Sequence, residues 1–330
     1  MKHVVSRKAT HQHAIEYVLL TLSVVSLSLS LMFAFVKGTT STNVLLSIVA
    51  LVLALFLLTQ SFRIWILRYI FRPPRRRGEC ISESGWETVS AEREGVPIHA
   101  HMKWENIGSA PLILFLHGWS SDSRRSQNRS IGLEGFHILA MDLRGHGHSP
   151  DDQEFTALKC AKDAVTLLES LPKERFSNIA IYGHSLGAFI ALKISSEMEG
   201  ILQDRLKCVV LESPMTNYNL IFAERFNSLS RLLKPLLFHW TKNAWKKIHP
   251  EEVVDHTGIM VPGWGIPKVR TLVVQAANDS RLGMEHYNLL IAHLEEGFEA
   301  HVIDDLRHSG DSEHRGRTLI AKKFLEESLL

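Results

Sequence analysis

The chain has 330 residues, 45% of them hydrophobic and 22% charged, with 37 Lys+Arg against 35 Asp+Glu and a formal net charge of +2. That balance is too apolar and too even for a disordered chain or one that coats nucleic acid. Three cysteines, Cys80, Cys160 and Cys208, are too few and too scattered for a disulfide framework or a paired-cysteine metal site, and they suit a reducing compartment.

The first 78 residues read as a membrane anchor. Tyr17–Val36 and Val44–Phe62 carry no charge over 20 and 19 residues. At about 1.5 Å rise per residue, each stretch reaches about the 30 Å of a hydrocarbon core. A cleavable signal has a shorter apolar region and a small-residue cleavage site, which Val36-Lys37-Gly38-Thr39 does not offer. Transmembrane helices are therefore expected over about 17–36 and 44–62. Serines at 23, 26, 28 and 30 make the first the weaker span. The link Lys37–Asn43 is short and polar, so the spans form a hairpin. Lys2, Arg7 and Lys8 precede it, and Arg63, Arg68, Arg72, Arg75, Arg76 and Arg77 follow it, against Lys37 alone between the spans. This asymmetry places both termini on the cytoplasmic side, in a bacterial inner membrane or an equivalent bilayer. Trp65 and Tyr69 suit the interface, and the basic segment 63–77 suits anionic lipid headgroups rather than nucleic acid. Pro73-Pro74 should stop the second helix.

Residues 79–330 form one large domain. A hairpin is expected from Trp86–Ala91, the turn Glu94-Gly95, and the alternation of Ile98, Ala100, Met102 and Trp104 with His99, His101 and Lys103. Short apolar runs follow at 112–116, 137–141, 179–182, 208–211, 272–275 and 300–303, as strands buried on both faces require. Helical stretches at 157–171, 186–198 and 284–294 lie between them. The alternation predicts an α/β fold, a mostly parallel sheet with helices on both faces. Residues 214–268 break the rhythm. They are rich in Phe, Leu and Trp and too long for a loop, so they read as a helical cap insertion over an apolar pocket.

Gly183-His184-Ser185-Leu186-Gly187 follows a predicted strand and opens a predicted helix. In that setting G-x-S-x-G forms a sharp turn that lifts the serine Oγ clear of the sheet. The glycines two residues before and two after leave room for the turn, and the helix N-terminus faces the developing oxyanion.

With these features the chain resembles the α/β-hydrolase superfamily over about residues 86–330. His117-Gly118-Trp119 lies where that family keeps its oxyanion loop, and Asp142-Leu143-Arg144-Gly145-His146-Gly147-His148-Ser149 matches its D-x-R-G-H-G-x-S loop. The likeness is nearest to the branch of monoacylglycerol lipases and serine aminopeptidases. It implies Ser185 as nucleophile, Asp279 as acid and His308 as base, in the family order. Glu212 is the rival acid and His314 the rival base. The backbone N–H groups of Trp119 and Leu186 are the implied oxyanion donors. A serine at the elbow argues against the alkyl-enzyme chemistry of haloalkane dehalogenases and epoxide hydrolases. The reading is a membrane-anchored serine hydrolase of carboxylic esters, with lipid or acyl esters favoured. Thioesters come next, then amides and peptides. From another class, a catalytically silent, membrane-tethered binding module would keep the same fold. Neither a cofactor nor a metal is expected, because His117, His146, His148 and His184 fall on separate loops with no paired ligand at metal spacing.

Overall fold

The computed structural model describes residues 2–35, 40–72, 85–105, 108–150, 155–251, 259–310 and 313–330. These fall into two compact units, one of residues 1–72 with 235–248, the other of residues 73–234 with 249–330.

In the smaller unit, α1 (Lys2–Phe35) and α2 (Ser41–Phe71) are both longer than the spans expected from their uncharged runs. The stretches long and apolar enough to cross a membrane are Ala14–Phe35 and Ser41–Phe71. Hydropathy delimits only the apolar part of a helix, and no proline or glycine interrupts either helix beyond it. α2 ends where Pro73-Pro74 demands: Arg72 is extended, at φ −137° and ψ 107°, the conformation imposed on a residue before proline. Lys37 and Arg75, Arg76 and Arg77 lie outside the described residues.

The serines that weaken the first span by hydropathy join the two helices. The hydroxyl of Ser26 donates to the carbonyl of Ala50 at 2.8 Å, and that of Ser30 to Ser47 at 2.9 Å. Ser47 answers by donating to the carbonyl of Ser30, also at 2.9 Å. Small side chains let the backbones approach, and each hydroxyl finds an acceptor in place of water. Ser23 and Ser28 instead satisfy themselves on Leu20 and Val24 of their own helix. Farther along, Arg68 pairs with Glu16 at 3.0 Å. Phe62, Trp65 and Tyr69 stack in sequence, and Trp240 meets Phe62 edge-on. The leucines and valines on the outer faces of both helices are exposed.

The larger unit opens with the expected hairpin, β1 (Glu87–Arg93) and β2 (Val96–Lys103). Glu94 and Gly95 both take positive φ, at 55° and 73°, which matches the twist of a two-residue turn. There follow β3 (Ala110–Leu116), α3 (Ser123–Arg129), β4 (His137–Asp142), α4 (Ala157–Glu169), β5 (Phe176–His184), α5 (Leu186–Glu197), the short α6 (Leu202–Arg205) and β6 (Leu206–Glu212). Next are α7 (Tyr218–Ile248), whose residues from Pro235 onward belong to the smaller unit, β7 (Arg270–Ala276), α8 (Gly283–Ile291), β8 (Glu299–Ile303) and α9 (Arg315–Leu329). The eight strands run in the order β1-β2-β4-β3-β5-β6-β7-β8. β1, β2 and β4 pair antiparallel, and every pair from β4 to β8 is parallel.

β3, β4 and β5 from Ile179 onward are buried along their length, which is why their apolar runs do not alternate. One face packs Phe115, Phe136, Tyr182 and Val210 against Phe324 and Leu325 of α9, a helix the sequence reading did not single out. Among the described residues of 214–268, where a helical insertion was expected, lies the 31-residue helix α7, with Pro235 inside it. The insertion's descending limb rejoins the larger unit through a bridge between Asn217 and Met260. There Trp264 stacks on Phe189 of α5 with 4.5 Å between rings, and its indole N–H donates to the carbonyl of Phe189. Residues 252–258 of the insertion lie outside the described residues.

The serine seam makes a direct prediction. The Oγ atoms of Ser30 and Ser47 are 3.3 Å apart, within the reach of a disulfide. In a chain with Cys80 replaced by serine, Ser30→Cys with Ser47→Cys should crosslink within the chain on mild oxidation and resist maleimide labelling. A Ser28→Cys, Ser47→Cys pair should stay reactive.

Candidate active site

The parallel register brings the C-terminal ends of β3, β5, β6 and β7 level, with Leu116 beside Gly183, His184 beside Glu212, and Glu212 beside Val274. Loops leaving this edge carry the chemistry, as in open α/β sheets generally. Ser185 stands between β5 and α5 at φ 55° and ψ −115°, a strained backbone for a residue with a Cβ. Main-chain bonds hold it there. Its N–H donates to the carbonyl of Glu212 at 2.9 Å, and its own carbonyl accepts from Ala188, Phe189 and Met215. The flanking glycines are steric necessities. A Cβ on Gly187 would lie 2.0 Å from the carbonyl oxygen of Leu116, and one on Gly183 would lie 2.5 Å from the Cα of Ala188.

The structure brings Ser185, His308 and Asp279 together. Nε2 of His308 is 3.1 Å from the Oγ of Ser185, and its Nδ1 is 2.7 Å from Oδ2 of Asp279. With Nδ1–H directed at the carboxylate, Nε2 is left to accept the serine proton. All three side chains are buried. Burial, the largest influence on Asp279, pushes its pKa up, but the bond from His308 and the amides of Leu282 and Arg281 hold it below the ordinary carboxylate range. Asp279 is therefore an anion placed to orient and balance a charged imidazole.

The two rivals are occupied elsewhere. Glu212 lies beneath the elbow, where its carboxylate accepts from Arg129, from Arg317 and from the hydroxyl of Tyr182 at 2.7 Å. Burial raises its pKa, but the two guanidinium groups overcome this and hold it far below the usual value. His314 caps α9, its Nδ1 accepting from the amide of Arg317, and its Nε2 is 3.3 Å from Asp305.

Trp119 follows β3 in the loop expected to hold an oxyanion, and Leu186 is the first residue of α5, where an N–H has no acceptor one turn back. The loop is held by histidines that the motifs contain but do not explain. The amide of Ser120, at φ 56°, donates to Nε2 of His146, while Nδ1–H of His146 donates to the carbonyl of Arg144. Burial first, and His117 second, lower the pKa of His146 to about 3, so it stays neutral and keeps that tautomer. His117 repeats the pattern, accepting from the amide of Leu143 and donating to the carbonyl of Gly118.

Two further positioning residues carried no sequence signal. Gln275 donates to Oδ2 of Asp279 at 3.3 Å from the end of β7. His184, the variable residue of G-x-S-x-G, has Nε2 at 2.9 Å from the carbonyl of His308. A carbonyl only accepts, so Nε2 carries the proton, and the residue next to the serine holds the loop that bears His308. Both interactions link positions more than a hundred residues apart or depend on a rotamer, which spacing alone does not encode.

Residues 111–232 match the family described as the alpha/beta hydrolase fold. A putative esterase/lipase of Haemophilus influenzae is 27% identical over 128 residues, 37% of this chain and 41% of that one. An epoxide hydrolase of Siraitia grosvenorii is 32% identical over 110 residues, 32% of this chain and 33% of that one. The chain thus spans well under half the length of these curated relatives. An esterase of Pyrococcus furiosus superposes with a TM-score of 0.59 at 19% identity, over 78% of this chain and 97% of that one. That likeness concerns the fold.

The charge cluster under the elbow should respond to removal of one member. Glu212→Gln leaves Arg129 and Arg317 buried without their anion and should cost about 3–5 kcal/mol in chemical denaturation. Because the folded carboxyl titrates below its unfolded value of about 4.3, the wild-type advantage should be complete above that pH and shrink as the pH falls further.

Proposed function

We propose, from its place in the α/β-hydrolase superfamily, that this chain is a serine hydrolase of the esterase/lipase type, cleaving carboxylic esters through an acyl-enzyme on Ser185. The observation that supports this most directly is the serine hydroxyl 3.1 Å from an imidazole that is itself 2.7 Å from a buried carboxylate. Ser185 attacks the ester carbonyl as Nε2 of His308 accepts its proton. Asp279 keeps the imidazole in the productive tautomer and stabilises its charged form. The backbone amides of Trp119 and Leu186 receive the developing oxyanion, aided by the N-terminus of α5. The imidazolium then protonates the leaving alcohol, and water, deprotonated by the same imidazole, releases the acid. Epoxide hydrolases are among the relatives, but an alkyl-enzyme ester needs a carboxylate at the elbow, and Ser185 offers a hydroxyl.

The hairpin of α1 and α2 serves as a membrane anchor of two spans in this reading. Both ends lie on the side of the arginines, and the Arg63–Arg77 segment contacts anionic headgroups. A bilayer next to an esterase favours lipid or other acyl esters as substrates, with the insertion at 214–268 acting as a cap.

Ser185→Ala should fold normally and lose ester hydrolysis by about four orders of magnitude or more, together with labelling by a fluorophosphonate probe. Asp279→Asn should lose a comparable factor while still folding. p-Nitrophenyl esters of increasing chain length, assayed beside the matching thioesters and anilides, rank the substrate classes. A wild-type chain that neither labels nor hydrolyses any of them would instead be a silent binding module.

A further inference from the structure

Outside the serine site, one cluster combines ligand chemistry with an uncompensated buried charge. Asp142 ends β4 with no exposed surface, and among the described residues no lysine or arginine is paired with it. Its carboxylate accepts one main-chain bond on each oxygen, from Ser123 at 2.7 Å and His148 at 2.9 Å. The hydroxyl of Ser123 adds a third bond to the carboxylate. A buried anion held by neutral donors still lacks a cation.

Two imidazoles converge on it. Nδ1 of His148 is 3.4 Å from Oδ2 of Asp142. His101 reaches the same point from β2, where the register sets His99 opposite Asp142 and so puts His101 on the same face. One ligand atom from each of His101, Asp142 and His148 lies within 4.8 Å of the other two. Donors at about 2.0–2.1 Å from a tetrahedral zinc lie about 3.4 Å apart, which the His148–Asp142 pair already satisfies. His148 is 40% exposed and gives an ion its route in. The His101 and His148 rings, edge-to-face at 5.6 Å, stand beside each other rather than stacked.

From this geometry we infer that His101, Asp142 and His148 form a binding site for a divalent transition-metal ion, zinc above all, with water as the fourth ligand. Two neutral imidazoles and one carboxylate select zinc and its neighbours over magnesium or calcium, which take oxygen ligands. The amides of Ser123 and His148 fix the carboxylate, as outer partners do in metal sites. The ion would join β2, β4 and the 143–149 turn. That turn also carries His146, whose Nε2 holds the amide of Ser120 in the loop after β3. The site is therefore structural in kind and does not touch Ser185. It was invisible to spacing because His101 and His148 lie 47 residues apart and on different elements.

The test is zinc binding by the full-length chain in detergent, measured as competition with a chromophoric chelator and as the shift of thermal unfolding. The variants are His101→Asn and His148→Ala, the latter at an exposed position that should not disturb folding. Wild type should hold one zinc equivalent that both variants lose or bind at least about tenfold more weakly. Zinc should raise the unfolding temperature of wild type more than that of either variant, and magnesium should raise none of them. If wild type binds no equivalent beyond what both variants keep, the inference is overturned. Retention of the site in His148→Ala but not His101→Asn would equally overturn the three-ligand assignment.

Discussion

The backbone of Ser185 is the constraint on which the larger unit depends. A side chain held at φ 55° and ψ −115° is unfavourable, and it persists only where the surroundings over-determine it. Here they do so from three sides. β5 delivers the chain at the centre of the sheet, β6 supplies the Glu212 carbonyl that takes the serine amide, and α5 begins at once and accepts no other path. Gly187 passes against the end of β3 so closely that no side chain could fit. The turn is thus a product of how closely β3, β5 and α5 pack.

Two buried carboxylates are paired with arginines. Glu212 gathers two guanidinium groups and a tyrosine hydroxyl. Asp163 of α4 does the same with Arg144, in a short contact, and with Arg93 at 2.6 Å. These clusters join helices and loops to the sheet at points where an unpaired charge would be costly, so they specify which elements meet. The buried histidines act differently. His117 and His146 stay neutral and serve as fixed donor and acceptor pairs, which lets main-chain turns with no regular partners satisfy their amides.

The smaller unit is built on the opposite pattern, with its apolar side chains outward. Its helices expose their leucines and valines and bring small hydroxyl-bearing residues to their seam. The same serines that lower hydropathy along one helix are what two helices need in order to touch.

Much of this was legible from residue order. The apolar runs at 112–116, 137–141, 179–182, 208–211 and 272–275 all lie within β3 to β7, because a strand buried on both faces cannot hide its composition. The G-x-S-x-G turn was legible because the motif occupies five consecutive residues, although Gly187 answers to the distant Leu116. Read with the family resemblance, residue order favoured Asp279 and His308 and left Glu212 and His314 as rivals. What separated them was tertiary: Glu212 turns under the sheet to two arginines from α3 and α9, and His314 is consumed in capping a helix. Gln275, His184 and the His101–Asp142–His148 cluster were likewise beyond reach. Their meaning comes from contacts between distant segments, and only the packed sheet, by fixing register and side-chain direction, brings those segments within hydrogen-bond distance.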